Sequence, residues 1–315
     1  MKYVIGVDFG GTHIRAALVD EEGQIVEQLK RKTMAELGPK AVIDRLGEAV
    51  REVASHVPQG DELVGVGAIA PGPLDPYEGV IFQAPNLPGW ENIHLAEELR
   101  QRVNLPVWIG NDANLAALAE HRYGAGRGLS DIVYITVSTG IGGGIIVNNR
   151  MLLGAQGMAA EVGHMQIVPD GPICNCGNRG CVEALASGPN IAREARARLS
   201  RGVPSSLEQL GRIPTTEDVV QAAREGDELA CDVLRQAGEY IGMMVANLVH
   251  LFNSQRFLFG GGVTNAGDLL LDPIRDTAEE RTMKSYHGTY DIVPAACGDD
   301  VGVLGAAALA CSMAG

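Results

Sequence analysis

Tyr3-Val4-Ile5-Gly6-Val7-Asp8-Phe9-Gly10-Gly11-Thr12 reads as an apolar strand that ends in an acid and breaks into a glycine turn. A second apolar run, Ile14 to Asp20, follows at once, so the pair is a β-hairpin. The layout returns at Ile132 to Val147, where Ser138-Thr139-Gly140-Ile141-Gly142-Gly143-Gly144 interrupts two apolar runs. Two hairpins of similar length, each with glycines and a threonine at the tip, predict a fold duplicated within one chain. Glycine lets the backbone approach a phosphate without a Cβ in the way, and successive N–H groups then form an anion nest. No Lys follows either glycine run, so neither is a Walker A loop, and the spacing is wrong for a dinucleotide fingerprint. Taken alone, each is equally well a plain hairpin turn. Asp8, at the strand end, suits a magnesium ion held through water.

Working outward, strands alternate with helices, which predicts α/β layers. Gln24 to Lys30 reads as a third strand, Pro39 to Ser55 as a helix, Leu63 to Ala70 as a buried strand and Val80 to Phe82 as a short one. Helices are expected at Leu95–Val103, from Asn111 to about Tyr123, and at Pro189–Leu199, Thr216–Arg224, Glu228–Phe252, Leu269–Arg281 and Val301–Met313. Short strands are expected at Val107–Ile109, Arg256–Phe259 and Asp291–Val293, and Arg201 to Arg212 reads as a surface loop. Gly260-Gly261-Gly262 follows a strand, where bare backbone suits an adenine or a ribose as well as it suits a simple strand-to-helix turn.

Gly110-Asn111-Asp112-Ala113-Asn114 is the candidate catalytic element. It lies where a strand ends and a helix begins, and in α/β sheets the carboxyl ends of strands face the ligand crevice. A carboxylate there can take the proton of a hydroxyl as it attacks a γ-phosphate. The alternative is that Asp112 or Asn111 only caps the helix. Three polar groups at one crevice position weigh against capping alone.

Glu161-Val162-Gly163-His164 precedes Cys174-Asn175-Cys176-Gly177-Asn178-Arg179-Gly180-Cys181-Val182-Glu183. Three thiols and an imidazole make the four ligands of a closed zinc tetrahedron. A disulfide would leave one of three neighbouring Cys unpaired, so zinc is the better reading. Cys231, Cys297 and Cys311 sit among apolar or small residues and read as inert buried thiols. A metal that staples this loop would also fix Glu161 and Glu183 beside it.

The 315 residues allow one large or two medium domains. A net charge of -14 disfavours nucleic-acid backbones and anionic membranes as partners. No segment has the apolar length of a membrane span, and Met1-Lys2 leads straight into a strand with no signal sequence, so a cytoplasmic protein is expected.

In that order, Asp8-x-Gly-Gly-Thr12, Asn111-Asp112-Ala-Asn114, Glu161-x-Gly-His164 and Cys174-x-Cys-Gly-x-x-Gly-Cys181-x-Glu183 resemble the ROK family (repressors, open reading frames and sugar kinases). The resemblance runs from the first strand to the last helix. The cysteine motif with its upstream histidine is its most specific part. Together with Pro85-Asn86-Leu87-Pro88-Gly89-Trp90, it is similar above all to the bacterial ATP-dependent glucokinases of that family.

The resemblance implies a duplicated actin-like ATPase (ribonuclease H-like) fold of two α/β domains with a cleft between them. Residues 1–118 with 300–315 would form the small domain, and 119–299 the large one with the zinc loop. It implies ATP-dependent transfer to the 6-hydroxyl of glucose, with Mg²⁺, a structural Zn²⁺ and assembly as a homo-oligomer, dimer or tetramer. Asp112 is then the general base. Gly72, Asn86, Asn111, Asp112, Glu161, His164 and Glu183 surround the sugar. Asp8, Gly10, Gly11, Thr12, Thr139 and Gly140 face the ATP phosphates, with Gly261 and Gly262 beside the nucleoside. His164, Cys174, Cys176 and Cys181 hold zinc. Another hexose (N-acetylmannosamine, N-acetylglucosamine, fructose or allose) or a non-catalytic sugar sensor is the alternative. Family repressors carry a helix-turn-helix ahead of the first strand, and with seven residues before Asp8 none is expected here.

Overall fold

The computed structural model of the chain describes residues 1–84 and 87–314. The first hairpin is β1 (Lys2–Phe9) and β2 (His13–Asp20), extended by β3 (Ile25–Lys32). After α1 (Gly38–Ala54) comes β4 (Glu62–Ile69), which pairs parallel to β1. A small antiparallel sheet of β5 (Leu74–Asp75), β6 (Val80–Gln83) and β7 (Glu91–Ile93) leads to α2 (Leu95–Val103), β8 (Val107–Gly110) and α3 (Asp112–Arg122). The second hairpin, β9 (Ile132–Val137) and β10 (Ile141–Val147), is extended by β11 (Arg150–Met151). Then come α4 (Val182–Ala186), α5 (Gly188–Ser200), α6 (Thr216–Arg224), α7 (Glu228–Phe252), β12 (Arg256–Gly260), α8 (Asp268–Arg281), β13 (Asp291–Pro294) and α9 (Val301–Ala314).

The two large sheets repeat one another. The first runs β3-β2-β1-β4-β8 and the second β11-β10-β9-β12-β13. In each, an antiparallel hairpin and its edge strand are followed by two parallel strands reached through helical crossovers. The repeat is the duplication expected from the two glycine-tipped hairpins, in the actin-like arrangement that the resemblance implies.

Each sheet is covered on both faces. Val42, Leu46, Val50 and Val53 of α1 recur at helical spacing and, with Leu95 and Leu99 of α2, bury one face of the first sheet. The long α7 and its neighbours bury one face of the second, around Phe257 and Phe259. Full burial of such a side chain stabilises by roughly 1.5–3 kcal/mol. The other faces meet α9 and α3, which also cross each other. Gly6 and Gly67 let the backbone of α9 lie directly on β1 and β4, since a methyl at either would overlap the carbonyl of Val303 or Ala306. Gly305 does the same where α9 meets the Leu115 carbonyl of α3.

Boundaries read from the sequence hold to within two residues for most helices, and α6 and α7 match at both ends. The small β5-β6-β7 sheet depends on pairing between segments too short to show periodicity. The stretch read as a loop from Arg201 to Arg212 contains a helical turn, Ser206–Leu210, whose Leu207 is buried. Cys231, Cys297 and Cys311 are half-buried, less enclosed than their apolar neighbours suggested. No helix among the described residues is long and apolar enough to cross a membrane.

Candidate active site

The sequence left open whether Asp112 merely caps its helix. Asn111 does the capping: its Oδ1 accepts from the Asn114 N–H at 2.8 Å. Asp112 is therefore the first helical residue, exposed at the carboxyl end of β8. Its Oδ1 accepts from the Ala113 N–H at 2.8 Å, which fixes the plane of the carboxylate. The Ala70 N–H donates to the Gly110 carbonyl at 3.0 Å, so Pro71 and the exposed Gly72 leave β4 beside this strand end. Asn86 lies outside the described residues. Just beyond it in sequence, the buried ring of Trp90 lies 5.4 Å from that of Phe9 at the end of β1.

Asp8 stands in β1 opposite Arg15 of β2 and against the start of α9, where a methyl on Gly302 would come within 2.6 Å of its Oδ2. Burial pushes its carboxyl up from the usual range, Arg15 pulls it back, and the negative charge of Asp112 pushes it up again. Asp8 lies near the end of β1 and Asp112 just beyond the end of β8, the two strands that flank β4 in one sheet. A carboxylate placed like Asp8 suits a divalent cation held through water. The hairpin tip beyond Asp8 is pinned from outside: the buried Thr33 donates its hydroxyl to the Gly10 carbonyl at 2.6 Å, and its N–H to the Thr12 carbonyl at 2.9 Å. Gly11 and Thr12 remain exposed, and nothing lies where a Cβ on Gly10 would point, so packing does not demand that glycine. Neither Arg15 nor Thr33 was singled out by sequence. Arg15 is an ordinary cation in a strand until β1 is paired with β2, and Thr33 lies outside every motif.

The second tip, Ser138-Thr139-Gly140, is tied to the metal loop's helix. Glu183, on the first turn of α4, accepts the Ile141 N–H at 3.1 Å through Oε2. The Gly188 N–H donates to the Ser138 carbonyl at 2.8 Å. Ser138 and Thr139 line a cavity of about 610 Å³ with Pro189, Thr216, Gln221 and Gly262. That volume suits a nucleoside. Gly261 has a positive φ of 92°, and a methyl there would overlap the Val137 carbonyl, so the turn itself requires it. Gly262 has open space on its Cβ side and leaves its backbone bare to the cavity.

The four sequence-predicted ligands come together. Nδ1 of His164 and the Sγ atoms of Cys174, Cys176 and Cys181 all lie within 4.8 Å of one another, and all three Cys are free thiols. A tetrahedral zinc with Zn–S of about 2.3 Å and Zn–N of about 2.0 Å separates sulfurs by about 3.8 Å and sulfur from nitrogen by about 3.5 Å. Cys176 and Cys181 are 3.7 Å apart, and Cys174 is 3.6 Å from Nδ1. The donor set therefore fits zinc. Burial pushes the Cys181 thiol up to about 12 and raises Cys174, whereas hydrogen bonding from the Asn178 backbone lowers Cys176. Three thiolates in this loop need a cation to balance them.

Backbone bonds hold the loop to the second sheet. The Val182 N–H donates to the Met165 carbonyl at 3.0 Å, and Gly163 packs bare against the Ile141 carbonyl. With Nδ1 facing the thiols, Nε2 of His164 is left for a further partner. Glu161 is exposed at the start of the same turn, and Glu183 Oε1 lies 3.8 Å from Cys174 Sγ. One acid is thus fixed by the fold and the other is free.

The profile of the ROK family matches residues 4–313. A glucokinase of Thermotoga maritima is 38% identical over 97% of this chain and 96% of its own length. A glucokinase of Streptomyces coelicolor is 39% identical over 98% of each chain. Among solved structures, a ROK family glucokinase from Streptomyces griseus in complex with glucose and AMPPNP superposes with a TM-score of 0.78 at 36% identity, over 98% of this chain and 99% of that one.

Proposed function

The chain belongs to the ROK family, and on that premise we propose that it transfers the γ-phosphoryl group of ATP to the 6-hydroxyl of glucose, forming glucose 6-phosphate and ADP. The observation that carries the reading is the division of labour at the start of α3. Asn111 caps the helix, and Asp112 is left exposed one residue further on, within electrostatic reach of Asp8.

In this reading Asp112 accepts the proton of the sugar 6-hydroxyl as its oxygen attacks the γ-phosphorus and the bond to the β-phosphate oxygen breaks. Asn111, Glu161, Glu183 and Nε2 of His164 hold the remaining hydroxyls, with Gly72 and Asn86 at the rim. The tips at Gly10-Gly11-Thr12 and Thr139-Gly140 offer N–H groups to the phosphates, and Gly261-Gly262 flank the nucleoside. Asp8 would hold Mg²⁺ through water, and the ion neutralises phosphate charge when ATP is bound. Zn²⁺ on His164, Cys174, Cys176 and Cys181 would fix the loop that presents Glu161 and His164. Closure of a small domain (1–118 with 300–315) on a large one (119–299) would exclude water, the competing acceptor. A cytoplasmic place at the entry to glycolysis and assembly as a dimer or tetramer belong to the same proposal, the latter testable by light scattering.

The direct test is ADP release with glucose, N-acetylmannosamine, N-acetylglucosamine, fructose and allose in parallel. Glucose should give the highest kcat/KM. Turnover with another hexose alone would reassign the sugar, and glucose binding without ADP would leave a sensor. Metal analysis should find about one zinc per chain. Cys176→Ser should raise the glucose KM, and unchanged kinetics in a zinc-free variant would break the link between metal and sugar.

A further inference from the structure

Glu120, on the last turn of α3, is fully buried and takes no part in the chemistry above. Its Oε1 accepts the N–H groups of Ala296 at 2.9 Å and Cys297 at 2.7 Å, and its Oε2 accepts the Ala125 N–H at 2.9 Å. Its own carbonyl accepts from Gly124 at 3.1 Å and Gly126 at 2.9 Å. These partners have a particular place in the fold. The chain passes from the first sheet to the second through residues 123–131, between α3 and β9, and returns through residues 295–300, between β13 and α9. One carboxylate therefore ties both covalent passages between the two sheets.

Other features center on the same point. Gly124 carries no side chain because a methyl there would overlap Glu120 Oε2 and come within 2.8 Å of Cys297 Sγ. The return passage is gripped again beyond it, where Arg15 of β2 donates to the Asp299 carbonyl at 2.6 Å and pairs with Asp300. Beside Glu120 lies a cavity of about 520 Å³, bounded also by Tyr134, Gly261 and Asp299, so the glycine turn proposed for the nucleoside borders the same space. A buried carboxylate whose oxygens are filled by backbone N–H groups is costly to disturb. Here it fixes the two crossing segments relative to one another without filling the space around them.

We propose that Glu120 is the pivot of lobe closure: a positioning residue that holds the two crossing segments together, so that the lobes swing about one point and bring Asp112 up to the phosphates. The kinetic consequence rests on the kinase reading. The mechanical one does not.

Glu120→Gln keeps the shape but sets an amide donor against backbone donors, so at least one of the three bonds is lost. The ligand-free variant is expected to show a larger radius of gyration than the unaltered protein by small-angle X-ray scattering. Glucose with a non-hydrolysable ATP analogue should bring the two back together. At a temperature well below unfolding, kcat is expected to fall about tenfold and the glucose KM to rise several-fold. Should Glu120→Gln not fold, Gly124→Ala loads the same contact from the other side and should give the same signs at smaller size. A lower thermal midpoint with unchanged radius, kcat and KM would reduce Glu120 to an ordinary structural residue and overturn the proposal. Absence of ADP formation by the unaltered chain would refute the kinase reading alone, because the scattering comparison still decides the pivot.

Discussion

Helices α3 and α9 occupy matching places in the two repeated halves. Each follows the fifth strand of its sheet's order, and the two cross at Gly305. Yet α3 opens with Asn111, Asp112 and Asn114, whereas α9 opens with Val301, Gly302 and Val303 and is buried along most of its length. The first has a side-chain cap and an exposed acid. The second meets β1 and β4 through backbone. Duplication supplied two equivalent positions, and only one of them carries an exposed acid. The other became the surface against which Asp8 is packed.

The largest effect should come from removing the acid that distinguishes the two. Asp112→Ala is expected to fold and bind glucose but to lose roughly 10²-fold or more in turnover, measured by coupled ADP release. Near-normal turnover would make α3 as inert as α9. Next, Gly305→Ala forces a methyl against the Leu115 carbonyl and should destabilise by about 1–3 kcal/mol in denaturant titration. No loss would mean the helix crossing is looser than it looks. Asn111→Ala removes the cap that α9 lacks and should cost about 1 kcal/mol, with a higher glucose KM. A cost in KM without a cost in stability would contradict the capping role.

The smallest effect is a gain. An acid with a folded pKa above its unfolded value binds more protons when folded, so stability falls as pH rises from about 4 through the folded pKa. Burial of Asp8 puts it in that class. Asp8→Asn should therefore raise the thermal midpoint at pH 7 by on the order of 1–3 °C and lower turnover, with the midpoint difference closing towards about pH 4. A variant less stable than the original at pH 7 would show that Arg15 outweighs burial.

What the sequence disclosed divides along the range of the interactions concerned. The hairpin tips, the capped start of α3 and the Cys-x-Cys loop are local patterns, and their residue types carry the chemistry on their face. His164 lies ten residues from Cys174, near enough to be read with it. The partners that set those groups in place are far away in sequence. Thr33 reaches Gly10 across two strands, Glu183 reaches Ile141 from another element, and Glu120 finds Cys297 at a separation of 177 residues. No periodicity encodes such pairs, because they exist only once the sheets have formed. Of the small β5-β6-β7 sheet only β6 was legible, as the strand at Val80–Phe82, and whether Asp112 caps its helix turned on which neighbouring side-chain oxygen met the Asn114 N–H.

The bare contact of α9 with β1 and β4 at Gly6 and Gly67 has a bearing on how this molecule can change over generations. Under α1, the layer spacing is set by Val, Ile and Leu side chains, and exchanges that conserve volume are tolerated there. Under α9, main-chain contacts at Gly6 and Gly67 fix the distance, and the side chains beside them, such as Val4, Val19, Val303 and Leu304, must fit it. Drift can repaint one face of the sheet while the opposite face is frozen, and the frozen face is the one that seats Asp8.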